Sequence, residues 1–437
     1  MKIGIYVVTQ SAKANYKNEN FDVRQNAGVL VVKDILKRKG FSVDYCGRSN
    51  IQNHDVVLFS VTSDCDFYPL MSESTEWERG NYKTVVGGAG VLNVRPFLNT
   101  FDFFVLGRAE GVIEHLMDCI KSKESPEHES IIESKSFDLT KKYKINQVEA
   151  PYPHKITLDN GKEYKEGQVG CNRRCLFCGY TWHRRGNGED FEYGDLWNKN
   201  KDVEIAMLNY EAGQQVNFNK LRTTAIDGLS EKLRIKVNKP INRETIVNFM
   251  TELANCDKPH QTKFYNIIGY PWETEEDWFE FLEDIKRADE KMPKREKQAS
   301  ILLHSTPFRA MPATPLACQP MQYKNYRNKI ADVVGRGYKG NIFYQGNSLW
   351  AVESMGTESL PTVIESAIVI RGDENDEANI IKLSRSKKYR SLNSKQKTAT
   401  LEKYFDVQKL FGSFTPETLP TKYLKSYAKV EKMWVEK

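Results

Sequence analysis

Residues 83–107, KTVVGGAGVLNVRPFLNTFDFFVLG, contain two short apolar runs that each end in glycine, KTVVGG at 83–88 and DFFVLG at 102–107. Short runs that are apolar on both faces are typical of strands in a parallel sheet, where each strand is covered on two sides. The segment therefore predicts two strands of a parallel α/β sheet.

Similar runs precede this segment. KIGIYVV, FSVDYCG and DVVLFSV read as further strands, and AGVLVVKDILKRKG carries apolar residues at helical spacing. Strands that alternate with helices predict a doubly wound parallel sheet over residues 1–122, with helices on both faces. Such sheets bind ligands at the carboxyl ends of their strands. The polar strand ends predicted to lie there are residues 9–20, 62–69 and 87–90.

The remaining chain divides into three predicted parts. Residues 123–149 are charged and polar, include Pro126 and show no sustained period, which predicts a linker. Residues 150–321 again alternate strands and helices, which predicts a partial barrel of the TIM type with chemistry at its strand ends. Residues 322–437 are predicted to be a small, mostly helical region. The predicted barrel elements are strands at 203–208, 220–226, 263–269 and 298–305 and helices beginning near Arg243 and Thr274.

Composition bounds the class of protein. A chain of 437 residues exceeds one ordinary core, so a multidomain enzyme is expected rather than a small binding module. No run approaches the roughly 20 apolar residues that span a bilayer, and the opening MKIGIYVVTQ is too short for a signal peptide. The expectation is a soluble, cytoplasmic protein without a membrane partner. Its eight scattered cysteines argue against a disulfide framework.

Three cysteines do cluster, as Cys171-Asn-Arg-Arg-Cys175-Leu-Phe-Cys178. Three thiolates in one short loop can hold three corners of a cubane iron–sulfur cluster and leave one iron open. Zinc is the alternative, with His183 near enough in sequence to be a fourth ligand. The spacing is not that of paired CxxC knuckles and Phe177 precedes the third cysteine, so the pattern favours the cluster.

A CxxxCx(aromatic)C run resembles the signature of the radical S-adenosylmethionine (radical SAM) superfamily. The resemblance implies a (β/α)6 partial barrel and a 4Fe-4S cluster whose open iron chelates the amino and carboxylate groups of S-adenosylmethionine. One electron then gives methionine and a 5'-deoxyadenosyl radical, while the protein supplies position and excludes water. The resemblance also implies a low-potential electron donor, such as a flavodoxin or a ferredoxin.

Two further segments extend the resemblance. Residues 223–241, TTAIDGLSEKLRIKVNKPI, resemble the fourth-strand segment of the cobalamin-linked branch, which implies that Asp227 contacts S-adenosylmethionine. The alternative for Asp227 is a helix N-cap. Residues 264–278, FYNIIGYPWETEEDW, resemble the fifth-strand motif, which implies that backbone beside Ile268 and Gly269 packs against adenine.

Other cofactor and substrate contacts are less sharply marked. The superfamily's Gly-Gly-Glu motif is not clearly present, and LNYEAG is its nearest match, which makes Asn209 and Glu211 candidates for S-adenosylmethionine binding. The last barrel strand and the loop after it would lie near substrate, although packing roles are an alternative there. The candidates to bind substrate or donate hydrogen in that segment are His304, Arg309 and Cys318.

Residues 85–112 resemble the cobalamin-binding, Rossmann-like domain attached to many radical SAM enzymes, in which Gly-Gly closes one strand and a glycine follows the next. The resemblance implies cobalamin contacts at Gly87, Gly88, Gly107 and Thr62. The Asp-x-His-x-x-Gly motif of cobalamin mutases is absent from the sequence, so no histidine is expected beneath cobalt. A domain that has lost its corrinoid is the alternative. Further conceivable contacts are Asp64 and Cys65.

Two cofactor domains in tandem predict cobalamin-dependent methylation of an unactivated carbon. A radical rearrangement, with a degenerate cobalamin domain, is the first alternative. A nucleic-acid-binding protein with a structural cluster is the second, because the chain after Lys382 is basic and contains tyrosines that could stack on bases. The same region could deliver a nucleotide or nucleic-acid substrate, whose identity the sequence does not give. The tyrosines are Tyr389, Tyr404, Tyr423 and Tyr427.

Overall fold

The structure is a computed structural model in which twelve strands and thirteen α-helices lie in the described residues. Those residues are 1–8, 27–47, 49–73, 80–148, 150–157, 161, 163–166, 174–184, 206–257, 260–291, 299–322, 350–356 and 360–425. The strands are β1 Lys2–Val8, β2 Ser42–Tyr45, β3 Val56–Val61, β4 Lys83–Gly87, β5 Phe103–Val105, β6 Ile131–Glu133, β7 Ile156–Thr157, β8 Glu163–Tyr164, β9 Thr223–Ala225, β10 Gln261–Ile268, β11 Ala299–Pro307 and β12 Trp350–Gly356. The helices are α1 Ala27–Arg38, α2 Phe67–Glu73, α3 Ile113–Ser122, α4 Gly179–Arg184, α5 Ala206–Glu211, α6 Glu231–Lys236, α7 Arg243–Asn255, α8 Glu275–Glu290, α9 Leu360–Arg371, α10 Glu377–Arg385, α11 Lys387–Ser391, α12 Ser394–Tyr404 and α13 Val407–Phe411.

The first six strands form one sheet in the order β2-β1-β3-β4-β5-β6. The first five run parallel, and β6 pairs antiparallel with β5. Connections leave β1 in opposite directions along this sheet, so a topological switch point lies between β1 and β3. The prediction of an α/β fold with a parallel sheet is confirmed.

Both faces of this sheet are covered. Along β1, Ile5 and Val7 pack with α1 and α3 on one face, while Tyr6 and Val8 pack with α2 on the other. Side chains of a strand alternate between faces, so an apolar run without alternation marks a strand that is buried twice. The sequence pattern of KIGIYVV therefore has a direct structural cause.

The second sheet has the order β9-β10-β11-β12, with all four strands parallel and in chain order. Phe264 and Leu303 face α7 and α8, and Tyr265 and His304 lie side by side on the opposite face. Asn242 caps α7, since its side chain accepts a bond from the Thr245 N–H at 2.8 Å. Sequential parallel order is the arrangement of a barrel segment. A closed set of six strands stays a prediction.

One predicted strand was wrong. Residues 203–208 were expected to be extended, whereas Ala206 begins helix α5 and residues 201–205 lie outside the described chain. The run VEIAML is too short for its period to separate a strand from a buried helix. Met207 is buried in the core beside β9. A residue of a helix fills this position as well as a residue of a strand would.

The predicted domain boundaries fall inside packed segments. The expected linker contains β6, which extends the first sheet, and its Asn146 bonds to Leu106 and Arg108. Beyond residue 150, Tyr152 still belongs to the first domain, since its hydroxyl donates to Asp34 at 2.7 Å and its ring lies in the α1–α3 core. Residues 350–356, which were assigned to the mostly helical C-terminal region, instead form β12 and join the second sheet.

Helices α9 to α13 do not stand apart. Ile364 and Ile368 of α9 lie in the same apolar cluster as Phe59 and Phe97 of the first domain. Glu377 of α10 accepts hydrogen bonds from the Asn99 N–H and the Thr100 hydroxyl, at 3.0 Å each. The C-terminal helices therefore cover one face of the first sheet. Across the described residues, every helix is too short or too polar to cross a bilayer.

Gly88 lies at the carboxyl edge of the first sheet, where backbone segments approach closely. Its φ is +115°, and a Cβ there would lie 2.3 Å from the Val61 carbonyl oxygen. We expect Gly88→Ala to lower the free energy of unfolding by about 3 kcal/mol or more, because steric overlap adds to backbone strain. Urea unfolding measures the loss.

The control is Gly111→Ala. Gly111 also has positive φ, +73°, but a Cβ there meets nothing within 4 Å. Strain alone should cost about 1 kcal/mol. Equal losses in the two variants would contradict the close backbone approach at Gly88.

Candidate functional site

The described part of the cysteine motif is a turn that leads into α4. Cys175 is buried and Cys178 is half-buried, and the Cys178 N–H donates to the Cys175 carbonyl at 3.1 Å. The Trp182 indole donates to the same carbonyl at 2.9 Å. The two thiols therefore lie on one tight turn, as a shared ligand would require. Cys171 lies outside the described residues.

This turn is fixed to the segment after α6. The Leu176 N–H donates to the Val237 carbonyl at 2.9 Å, and the Asn238 side chain donates to the Arg174 carbonyl at 3.0 Å. Arg174 and Asn238 both have positive φ, 52° and 57°. Non-glycine residues adopt that region at a cost, so these contacts hold both loops in a strained shape.

Asp227 lies in the loop before α6, also with positive φ, 50°. Its carboxylate forms an ion pair with the buried ammonium group of Lys239. The helix-cap alternative for Asp227 was wrong, because Ser230 caps α6 and accepts from the Leu233 N–H at 3.1 Å. Asp227 is instead a paired carboxylate at the carboxyl end of β9.

The turn after β10 carries the predicted adenine contacts. The Ile268 carbonyl accepts from the Phe308 N–H at 2.7 Å, and Gly269 follows with φ +82°. The Glu273 carboxylate accepts from the N–H groups of Gly269 and Tyr270, the second at 3.1 Å. A carboxylate that binds successive N–H groups fixes the turn, so this backbone is held by the protein itself.

Tyr270 joins these pieces. Its buried hydroxyl donates to the Asp227 carbonyl at 2.9 Å, and its ring centroid lies 6.3 Å from that of Phe177 in the cysteine turn. Burial raises the pKa of the Tyr270 phenol well above its usual range, and nearby Asp227 and the two cysteines add to the shift. The described site therefore consists of three loops, with Cys175, Cys178, Asp227 and Tyr270 as neighbours.

Asn209 and Glu211 lie on α5, which contacts the start of α7. One Glu211 oxygen accepts from Asn242 at 2.8 Å, and the Asn209 carbonyl accepts from the Gln214 N–H. Both residues thus make contacts that stabilise helix ends. Their proposed role in cofactor binding stays a prediction.

The two candidate catalytic residues lie in different places. His304 lies on β11, half-buried, with its ring 4.8 Å from that of Tyr265 on the face opposite α7 and α8. Cys318 lies in the loop after β11, where its carbonyl accepts from the Phe414 N–H at 3.0 Å. Burial raises the pKa of the Cys318 thiol, while neighbouring Arg371 lowers it. His304 therefore lies on the face of the second sheet opposite α7 and α8, and Cys318 lies at the junction with the C-terminal helices. Their catalytic roles stay predictions.

His183, the fourth ligand of the zinc alternative, is buried on α4. Its Nε2 atom lies 2.5 Å from the Pro312 carbonyl oxygen. That nitrogen donates to the carbonyl, so Nδ1 is the nitrogen through which His183 would bind zinc. Within the described chain, no group of three potential metal ligands is found.

The predicted cobalamin contacts lie at the carboxyl edge of the first sheet. Thr62 is exposed and Gly87 and Gly88 are partly exposed, so this edge is open to a ligand. Packing already accounts for two of the glycines: a Cβ on Gly88 would meet Val61, and one on Gly107 would lie 2.3 Å from the Asn146 carbonyl oxygen. Their glycine character therefore follows from the fold, and corrinoid contact stays a prediction.

Asp64 lies beside that edge, nearly fully buried. Both its oxygens lie 3.0 Å from the Arg309 guanidinium, and the Ser366 hydroxyl donates to it as well. Arg309 follows β11 and Ser366 lies on α9. One carboxylate thus joins the first sheet, the second sheet and the C-terminal helices. The Cys65 side chain lies outside the described atoms.

The C-terminal tyrosines argue against the nucleic-acid alternative. Tyr389 and Tyr423 are buried, and their hydroxyls bond to Glu365 at 2.7 Å and to the Val94 N–H at 2.8 Å. Buried rings cannot stack on bases. Tyr404 is half-buried beside Lys382, and Tyr427 lies outside the described residues.

Sequence reasoning missed three residues that shape the site, namely Lys239, Tyr270 and Glu273. Each lies in a segment whose motif was noted, KVNKPI or GYPWE, but the motif alone did not say which side chain does what. A lysine or glutamate in a short polar stretch is usually exposed. Here, Lys239 is buried and three N–H groups surround the Glu273 carboxylate.

Comparison with known proteins gives few matches. No protein-family model matches the chain. The uncharacterized protein MJ0966 of Methanocaldococcus jannaschii is 25% identical over 351 residues, which cover 68% of this chain and 73% of that protein. This identity is too low to assign a family.

Among solved structures, the radical S-adenosylmethionine methyltransferase TsrM from Kitasatospora setae, with cobalamin and a 4Fe-4S cluster bound, aligns with 84% of this chain and 72% of its own. Its identity is 14% and its TM-score 0.27. The cobalamin-dependent S-adenosylmethionine radical enzyme OxsB, with aqua-cobalamin bound, aligns at 10% identity with a TM-score of 0.24 and covers 96% of this chain. This chain spans 60% of the OxsB chain. TM-scores this low do not establish a shared fold.

Glu273 makes the stability of the site dependent on pH. Burial raises the pKa of its carboxyl from 4.5 to about 7, although the indole of Trp278 and two backbone N–H groups lower it. The folded chain therefore holds the proton more tightly than the unfolded chain. This contribution to stability is complete below about pH 4.5 and is lost as pH rises towards 7, by up to about 3 kcal/mol.

We expect Glu273→Gln to remove this part of the pH dependence, measured as the free energy of unfolding in urea at pH 5 and pH 8. Glu276→Gln is the control, because Glu276 is exposed in the first turn of α8 and hydrogen-bonded to Thr274, which lowers its pKa. If Glu273→Gln and wild type lose stability equally between these pH values, the carboxyl does not titrate there.

Proposed function

We propose that this chain is a radical SAM enzyme that methylates an unactivated carbon with the help of cobalamin. The observation that carries the proposal is the joining of Cys175 and Cys178 with Asp227 and the turn at Gly269 through Tyr270. Three segments that resemble superfamily motifs in sequence thus meet at one place in the fold. That convergence is more specific than any single motif.

The cysteine turn fits an iron–sulfur cluster. Cys171, Cys175 and Cys178 would supply three thiolates, and two of them lie on one turn whose carbonyls are bound by Trp182 and Asn238. Soft thiolate ligands select iron–sulfur clusters or zinc, and the CxxxCxxC spacing with Phe177 before the third cysteine favours the cluster over paired zinc knuckles. When bound, the cluster supplies the electron that cleaves S-adenosylmethionine.

The residues around the turn have defined tasks in this proposal. Asp227, held by Lys239, presents a carboxylate that can accept from the ribose hydroxyls or the amino group of S-adenosylmethionine. Ile268, whose side chain is buried, and Gly269, which has none, present backbone for adenine. Tyr270, Phe177 and Phe308 form an apolar wall that excludes water. His304 lies on the second sheet, where substrate would reach the reacting atom.

The first sheet fits cobalamin at its carboxyl edge. Thr62, Gly87 and Gly88 leave that edge exposed near the switch point between β1 and β3, the usual ligand position in such a sheet. Cobalamin, when bound there, would supply the methyl group. Arg309 links this edge to the end of β11, which brings the methyl donor and the substrate side of the second sheet to one junction.

The cysteines are tested by Cys175→Ala after anaerobic reconstitution with iron and sulfide. We expect iron content and visible cluster absorption to fall, and deoxyadenosine formation to drop at least about a hundredfold, because a direct ligand matters more than an outer-shell partner. Cys256→Ala is the control, since Cys256 is a buried cysteine outside the motif. Stoichiometric zinc, with no iron in wild type, would refute the cluster.

The methyl transfer is tested by corrinoid retention and by the nucleosides formed from S-adenosylmethionine. Wild type should keep hydroxocobalamin through gel filtration, and Thr62→Trp should weaken retention about tenfold by filling the open edge. Thr157→Trp, at an exposed threonine of the β7–β8 hairpin, should leave it unchanged. Deoxyadenosine without corrinoid binding or S-adenosylhomocysteine would favour the rearrangement instead.

A further inference from the structure

The surface beside the cysteine turn combines cationic and apolar side chains. Ile235 of α6 is 54% exposed, and adjacent Lys236 is also exposed, with its ammonium nitrogen 4.4 Å from the ring centroid of half-buried Trp272. Exposed Arg174 and Lys232 flank them, and Glu276 lies near Lys232. We call these five groups, Arg174, Lys232, Ile235, Lys236 and Trp272, the α6 surface.

The α6 surface is directly continuous with the cysteine turn. The Val237 carbonyl and the Asn238 side chain, next in sequence to Lys236, bond to the backbone of Leu176 and Arg174 at 2.9 and 3.0 Å. A partner seated on this surface would thus sit against the loop that holds Cys175.

An aromatic path leads from the same surface to the thiols. Trp272 and Tyr270 are stacked with ring centroids 6.0 Å apart and an interplanar angle of 11°. Tyr270 lies 6.3 Å from Phe177, which directly precedes Cys178. Electron transfer through protein slows steeply with distance, so a short path from the surface marks where a donor should dock.

We infer that the α6 surface is the docking site for a small acidic flavoprotein of the flavodoxin class, which reduces the cluster. This inference rests on the proposed function. Cations at Arg174 and Lys236 complement an acidic partner, and apolar Ile235 with Trp272 matches the exposed apolar edge of a flavin. One electron leaves the reduced flavin, which is oxidised, and enters the cluster held by the cysteines, which is reduced; no atom is transferred.

Binding tests the site without relying on turnover. The dissociation constant of flavodoxin for the reconstituted enzyme is measured by calorimetry at two salt concentrations. Ile235→Ser and Lys236→Glu should each weaken binding about tenfold, and Lys236→Glu should also reduce the salt dependence. Both side chains are exposed, so the variants should fold, which circular dichroism checks.

The matched control is Lys395→Glu on α12, an exposed lysine among the basic C-terminal helices, with the same change of charge. It should bind flavodoxin like wild type. If it weakens binding while Lys236→Glu does not, the donor docks on the C-terminal helices and the inference is wrong. If Ile235→Ser converts a dimer to a monomer in sedimentation, the surface is a contact between copies of this chain and the inference is equally wrong.

The rate of cluster reduction separates this inference from the proposed function. With dithionite, a small reductant that needs no docking site, the variants should be reduced like wild type by electron paramagnetic resonance. With reduced flavodoxin they should be reduced about tenfold more slowly. Wild-type rates with flavodoxin in both variants would overturn the docking site alone. A wild-type chain that dithionite cannot reduce would overturn the proposed function.

Discussion

The buried carboxylate of Asp64 is the constraint on which the arrangement of the molecule depends. It is 5% exposed and is neutralised by Arg309, with Ser366 as a further donor. A buried carboxylate that loses its partner costs several kcal/mol, so the three parts of the chain that supply these groups must stay together. The two sheets and helix α9 are thereby fixed relative to one another, although no strand pairs across the junction in the described residues.

This junction also determines which edges of the sheets meet. Asp64 follows β3 and Arg309 follows β11, so each residue lies at the carboxyl end of a parallel strand. Parallel sheets bind ligands at those ends, and an ion pair between them brings two ligand-binding edges together. A reaction that passes a group from a cofactor on one sheet to a substrate on the other requires this geometry. The methyl transfer that we propose would take place at this junction.

Much of the fold follows from local sequence, because buried strands such as β1 and β3 are apolar over nearly their whole length. Strands β6, β7 and β8 could not be foreseen, since two or three residues carry no period and their pairing depends on distant backbone. Asp64 and Arg309 are separated by 245 positions, and no local pattern links them. Glycine spacing located the sheet edge, but only coordinates show that Val61 fills the space beside Gly88.

The cysteine motif could be recognised in the sequence because its chemistry requires a fixed spacing. The contacts of the site that depend on three-dimensional geometry could not. The loops of the site lack the hydrogen-bond ladder of a sheet, and a buried arginine binds their carbonyl groups instead. Arg234 donates to the carbonyls of Gly228, Leu229 and Ile241 at 2.7 to 3.0 Å, and burial lowers its pKa to about 10. One guanidinium, with five N–H groups in a rigid plane, can bind several carbonyls that turn away from each other. The segment that carries Asp227 and Lys239 is therefore held in one shape by the protein, and a cofactor that binds there meets a site whose form is already set.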